Sequence, residues 1–133
     1  MLLLDTHVLL WLRFGDDQLG TETRKALNAA WVSGEVAVSA LTFWEVALLR
    51  SKNRLDYIDN ASQWRRQLIE EGLTEIPLDG EIGILANMLP NFHADPADRI
   101  IVATALEGRH YLVTSDERIL RWESKLPRVD ARE

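Results

Sequence analysis

Short runs of apolar residues constrain this chain more than anything else in it. They are Leu2-Leu3-Leu4, Val36-Ala37-Val38-Ser39 and Tyr111-Leu112-Val113-Thr114. Within them, apolar residues fall on both faces rather than on alternate ones. Strands of that kind belong to parallel sheets whose two sides are both covered. Between the runs the apolar spacing changes to that of helices. This alternation argues for an α/β fold, a short parallel sheet flanked by helices. Thr74-Glu75-Ile76-Pro77 reads as a further short strand, with Pro77 suited to its end or to an edge. Pro127-Arg128-Val129 reads as a last one.

The helices have recognisable ends. Thr6 is expected to cap a helix from His7 to about Phe14, closed by the loop Gly15-Asp16-Asp17. Thr21 begins a second helix, with Ala26, Leu27, Ala30 and Trp31 inward and Gly34 as its stop. A third runs from about Leu41 to Ser51. Asn60 or Asp59 caps a fourth, which Gly72 ends. Asp79 caps a fifth, reaching about Leu89. Asp95, with Pro96 at the first helical position, opens a sixth that ends near Gly108. A short helix after Asp116 reaches about Trp122. With 133 residues and no repeat or linker, the chain reads as one domain, residues 1–133. The five tryptophans, Trp11, Trp31, Trp44, Trp64 and Trp122, read as core or interface aromatics.

There is no cysteine, which excludes disulfides, thiolate metal sites and cysteine nucleophiles. That suits a cytoplasmic protein. The apolar N-terminus lacks a basic segment and is interrupted by Asp5, so it does not read as a signal peptide. No run reaches the roughly 18 residues a membrane span needs. The formal net charge is −6. Broad electrostatic binding of nucleic acid calls for a basic protein. Such binding here requires a local basic patch beside an acidic centre.

In open α/β sheets, ligands bind beyond the carboxyl ends of the strands. Asp5 ends the first strand, and Asp116 lies just past the Tyr111–Thr114 strand. Glu45 lies near the start of the helix after Val36–Ser39. Asp98 lies in the first turn of a helix that leads into a strand. Crowded carboxylates repel, so such a group needs protons or a metal. Hard divalent cations take oxygen ligands, and the chemistry that fits is phosphodiester hydrolysis. Plainer readings exist for each acid. Asp5 can bond turn N–H groups. Thr42-x-x-Glu45 matches a capping box. Asp116 can simply begin a helix. Asp95 is placed as an N-cap. His93, two residues before Asp95, is a candidate metal ligand, but as a loop histidine it reads as solvated.

These segments resemble a known family. Leu3-Leu4-Asp5-Thr6-His7, Val38-Ser39-Ala40-Leu41-Thr42-Phe43-Trp44-Glu45, Asp95-Pro96-Ala97-Asp98-Arg99-Ile100-Ile101-Val102-Ala103-Thr104-Ala105 and Leu112-Val113-Thr114-Ser115-Asp116 are similar to the motifs of PIN domains. They most resemble those of the VapC toxins of toxin–antitoxin pairs, in the same order and over nearly the whole chain. The resemblance implies a three-layer PIN-like fold and Mg²⁺- or Mn²⁺-dependent endoribonuclease activity. It implies Asp5, Glu45, Asp98 and Asp116 as the acidic quartet, RNA as substrate, a homodimer, and inhibition by a VapB-type antitoxin whose C-terminal arm covers the site.

On that footing Asp5 and Asp98 are the main expected metal ligands, and Asp116 completes the site directly or through water. Glu45 is expected to ligate a second metal or orient the attacking water. Thr6 and Ser115 are candidates for holding the scissile phosphate or a metal-bound water. Arg50, Lys52, Arg54 and Arg99 are candidates for backbone phosphate contacts. Two rivals remain. An aspartyl-phosphate hydrolase usually needs a second Asp two residues after the first, where this chain has His7. A catalytically silent PIN-like module, binding RNA or protein, commonly lacks one of the acids.

Overall fold

A computed structural model describes residues 1–133. Five strands form one wholly parallel sheet: β1 Leu2–Leu4, β2 Val36–Ser39, β3 Thr74–Ile76, β4 Tyr111–Thr114 and β5 Arg128–Asp130. Their order across the sheet is β3-β2-β1-β4-β5. The helices are α1 Thr6–Phe14, α2 Thr21–Val32, α3 Leu41–Ser51, α4 Ala61–Glu70, α5 Gly80–Ala86, α6 Pro96–Gly108 and α7 Glu117–Leu120. None is long and apolar enough to cross a membrane.

The pleat of the strands divides the core. Leu3, Ala37 and Leu112 point to one side, where Ile101, Val102 and Ala105 of α6 and Ile119 of α7 cover them. Leu4, Val36, Val38 and Val113 point to the other, against Val8 and Leu9 of α1, Leu27 of α2 and Leu68 of α4. The central residues of both groups are fully buried. This is why the strand runs carry no polar face: each residue meets a helix on whichever side it points to. Pro77 falls just past β3, which is an edge strand, where a missing N–H breaks no ladder.

Several local expectations need correction. Asp5, not Thr6, is the N-cap of α1. In α2, Ala26 faces solvent and Thr23 is buried in its place, one turn before Leu27. Helix α5 ends at Ala86 rather than Leu89, and α7 at Leu120 rather than Trp122. The last strand begins at Arg128 and runs to Asp130. Of the tryptophans expected in the core or at an interface, Trp122 is buried in the core and Trp44 is 58% exposed.

Gly20 is required by space rather than by dihedral angle. Its N–H donates to the Ala131 carbonyl at 2.8 Å, and Glu22 N–H donates to the Glu133 carbonyl at 3.1 Å. A Cβ at Gly20 would stand 2.0 Å from the Glu133 carbonyl carbon, which is backbone. Gly20→Ala is therefore expected to lower stability by about 1–3 kcal/mol, the usual cost of overpacking. Melting curves check this, and an unchanged midpoint would show that the segment after β5 yields freely.

Candidate active site

The strand order reverses beside β1. The chain builds outward through β2 and β3, then returns to the other side of β1 as β4. The crevice at the carboxyl ends of β1 and β4 is thus the switch point where open α/β sheets bind ligands. Asp5 and Asp116 follow those two strands directly or nearly so. Helix α6 runs back toward β4, so its first turn, with Asp98, lies at the same edge. Glu45 sits in the second turn of α3, which starts there after β2.

A buried threonine ties two of the acids together. Asp5 N–H donates to the Val113 carbonyl at 3.0 Å, fixing its backbone to β4. Its Oδ1 accepts from Thr6 N–H at 2.8 Å, and its Oδ2 accepts from Thr114 Oγ1 at 2.7 Å. The same Thr114 oxygen accepts from Asp116 N–H at 3.1 Å. The residues flagged by sequence did not include Thr114. Its signal was a hydroxyl as the last residue of an otherwise apolar strand.

Glu45 is held by a second hydroxyl relay. Thr6 Oγ1 donates to Glu45 Oε1 at 2.5 Å and lies 3.0 Å from Thr42 Oγ1. A hydroxyl has one proton. Since Thr6 gives its proton to Glu45, Thr42 donates to Thr6. The expected capping box is absent: α3 begins at Leu41, its N-cap is Ala40, and Ser39 Oγ accepts the Leu41 N–H at 3.1 Å. Thr6 and Thr42 are buried, so Thr6 orients Glu45 rather than facing a substrate.

His93, Asp98 and Asp116 place ligand atoms within 4.8 Å of one another. His93 Nε2 is 2.7 Å from Asp98 Oδ2, so this histidine is not the solvated loop residue expected. Arg118, also unforeseen, lays Nη2 between Asp98 Oδ2 at 3.3 Å and Asp116 Oδ2 at 3.2 Å. Asp116 caps α7, accepting from the N–H groups of Arg118 and Ile119. Asp95 caps α6 through the N–H groups of Ala97 and Asp98.

The charges are poorly balanced. Burial pushes Asp5 up, against the hydrogen bonds from Thr114 and Thr6. Burial pushes Glu45 up to about 7, against the Thr6 bond, with the charges of Asp5, Asp98 and Asp95 adding to the rise. Burial also raises Asp98, opposed by His93 and reinforced by Asp5, Asp95 and Asp116. For Asp116 burial raises too, but the Arg118 side chain and backbone N–H groups outweigh it and hold the carboxyl below its ordinary value. Crowded acids with raised pKa values mark a place short of positive charge. All the quartet's donors are carboxylate oxygens, the ligand type of hard divalent cations.

Other flagged residues are placed differently. Arg99 gives its guanidinium to the carbonyls of His93, Ala86 and Phe92 at 2.8, 3.0 and 2.7 Å. Arg50 donates to the carbonyls of Ile58 and Asp59. Both therefore bind the protein's own loops instead of presenting free donors for phosphate. Lys52 and Arg54 are exposed beyond the end of α3, about 10 Å or more along its axis from Glu45. Ser115 is half-buried beside Trp11, Gln18 and Arg132.

Comparison with known proteins follows the same lines. The PIN domain profile matches residues 2–124. A ribonuclease of Mycobacterium tuberculosis, VapC22, is 35% identical over 118 residues, covering 88% of this chain and 88% of its own. A toxin–antitoxin complex from Klebsiella pneumoniae superposes with a TM-score of 0.65 at 22% identity, over 98% of both chains. VapBC2 from Rickettsia felis, bound to a promoter DNA fragment, superposes with a TM-score of 0.66 at 14% identity, over 96% of both chains.

Proposed function

Because the chain belongs to the PIN-domain family, we propose that it is a metal-dependent endoribonuclease acting as the toxin of a toxin–antitoxin pair. The observation that carries this reading is the crowd of acids at the switch point, with the carboxyls of Asp5, Glu45 and Asp98 all raised. A ribonuclease relative and structural neighbours solved as toxin–antitoxin complexes support it. A silent binding module is disfavoured, because every acid of the quartet is present.

In this reading residues 1–133 act as one catalytic unit, and Asp5, Asp98 and Asp116 hold Mg²⁺ or Mn²⁺, with Glu45 beside them. Such an ion supplies charge neutralisation for a phosphodiester undergoing in-line attack. Glu45 would accept a proton from the attacking water through the oxygen that Thr6 does not occupy. Thr6 and Thr42 fix its orientation. Thr114 keeps Asp5 and Asp116 in register. Lys52, Arg54 and Ser115 are candidates for holding RNA away from the reacting bond. The partner is a cognate antitoxin whose arm covers the crevice, the chain works as a homodimer, and the compartment is the cytoplasm, where its substrate RNA lies.

The test is cleavage of a mixed RNA substrate by the purified chain with Mg²⁺, with Mn²⁺ and with excess chelator. Cleavage is expected with either ion and is lost in chelator. Equal cleavage in all three conditions overturns the reading.

A further inference from the structure

We infer that His93 is a metal-ligating residue of this site, giving one imidazole nitrogen beside Asp98 and Asp116, and that it biases the site toward a transition-metal ion over Mg²⁺. The inference rests on the metal-dependent reading above and deepens it by naming a ligand outside the acidic quartet.

The loop that carries His93 is held from several sides. Trp122 Nε1 donates to the Pro90 carbonyl at 2.8 Å. Arg99 donates to the carbonyls of Phe92 and His93, and to that of Ala86 at the end of α5. The His93 ring stacks on Phe92 with centroids 4.2 Å apart and planes 28° apart. Phe92 in turn meets Trp122 edge-on at 5.0 Å. A loop histidine that merely faced water would need no such support. Here a buried aromatic platform and a guanidinium clamp aim one ring nitrogen at Asp98.

The spacing suits a shared ion. Around an octahedral ion with bonds near 2.1 Å, adjacent ligand atoms stand about 3 Å apart and opposite ones about 4.2 Å. His93 Nε2 and Asp98 Oδ2 are 2.7 Å apart and share a proton, which a bound ion would replace and release to solvent, and the trio lies within 4.8 Å. A cation already bridges two of its members. The Arg118 guanidinium lies against Asp98 and Asp116 from a side chain that is 57% exposed and so free to swing away. An independent positive group has thus found the same pair of oxygens that an ion would use.

The consequence is selectivity. Mg²⁺ strongly prefers oxygen ligands, whereas imidazole suits transition ions. A nitrogen donor in the set therefore favours Mn²⁺ relative to Mg²⁺.

The experiment adds MnCl₂ to the chelator-stripped full chain and records pulsed electron paramagnetic resonance of the bound ion. Mn²⁺ and Mg²⁺ affinities are measured by calorimetry for wild type, His93→Gln and Asp98→Asn. Glutamine can still hydrogen-bond Asp98 but offers no imidazole. The wild-type spectrum is expected to show nitrogen modulation that disappears in His93→Gln, which also excludes His7 as its source. The preference for Mn²⁺ over Mg²⁺ should shrink about tenfold in His93→Gln, the scale on which ligand-shell changes act. Mn²⁺ binding that Asp98→Asn abolishes, but whose wild-type spectrum lacks nitrogen modulation, overturns the inference and leaves the wider reading standing. No Mn²⁺ binding by wild type overturns both. If His93→Gln does not fold, nitrogen modulation that persists in His7→Gln supports the inference, and its loss there overturns it.

Discussion

Asp98→Asn is expected to stop RNA cleavage while leaving the chain folded. Asp98 and Asp95 stand at the start of the same helix, yet their surroundings assign them different work. Asp95 is exposed, and one of its oxygens accepts the N–H groups of Ala97 and Asp98. Only an acceptor is needed there, and serine provides one with little change in helix stability. Asp98 is mostly enclosed, shares its Oδ2 with His93 and Arg118, and is raised by burial and by neighbouring acids. Its charge is what matters. The expected loss for Asp98→Asn is on the order of 10³-fold in cleavage rate, comparable to removing a key electrostatic group from other active sites. Asp95→Ser keeps most activity, and Asp95→Ala costs about 1 kcal/mol of stability. Melting curves in chelator and cleavage rates with metal separate the variants. If Asp95→Ser is folded and as inactive as Asp98→Asn, the capping role of Asp95 is wrong.

Asp5→Asn is expected to move stability in opposite directions with and without metal. In the metal-free protein Asp5 and Glu45 have folded-state pKa values above their ordinary ones. A raised folded pKa gives relative stability that is complete below the unfolded value and is lost as pH rises through the folded one. For Glu45 that window runs from 4.5 to about 7. Metal-free protein is therefore expected to melt lower at pH 7.5 than at pH 5. Asparagine at position 5 removes one of the repelling charges and retains an acceptor oxygen. In chelator at neutral pH it should melt above wild type, because it removes a buried charge, the main cause of the raised Asp5 carboxyl, along with its repulsion by Asp116. With Mg²⁺ present the order reverses, because wild type gains ion binding that the variant lacks. A variant that melts below wild type in chelator would falsify the picture of mutually repelling acids.

What the sequence reveals and what it hides divide along physical lines. The runs at Leu2–Leu4, Val36–Ser39 and Tyr111–Thr114 are legible because a strand buried on both faces has no room for polar residues. Asp5 and Asp116 are legible as acids where such runs stop. Position along the chain says less about which group a polar side chain finds. Thr42-x-x-Glu45 has the spacing of a capping box, but α3 begins two residues too early for it, and the two side chains meet Thr6 instead. Arg99 sits beside a catalytic-looking acid and reads as a phosphate contact, yet it holds loop carbonyls. His93 stands only five residues before Asp98, but no helical or strand spacing links the two, and the fold of its loop turns the ring onto that acid. Thr114 bonds to Asp5 across 109 positions, a link no local pattern encodes.

That last link bears on how such a chain behaves while it is being made. The acids belong to segments from the first strand to the seventh helix, and β1 acquires one of its two neighbours only when β4 pairs with it. Until Thr114 has emerged from the ribosome, Asp5 lacks its hydroxyl partner and Asp116 lacks the threonine oxygen that accepts its N–H. Contacts so distant in sequence also form slowly. A growing chain therefore remains harmless through most of its synthesis, and its capacity to cut arises late.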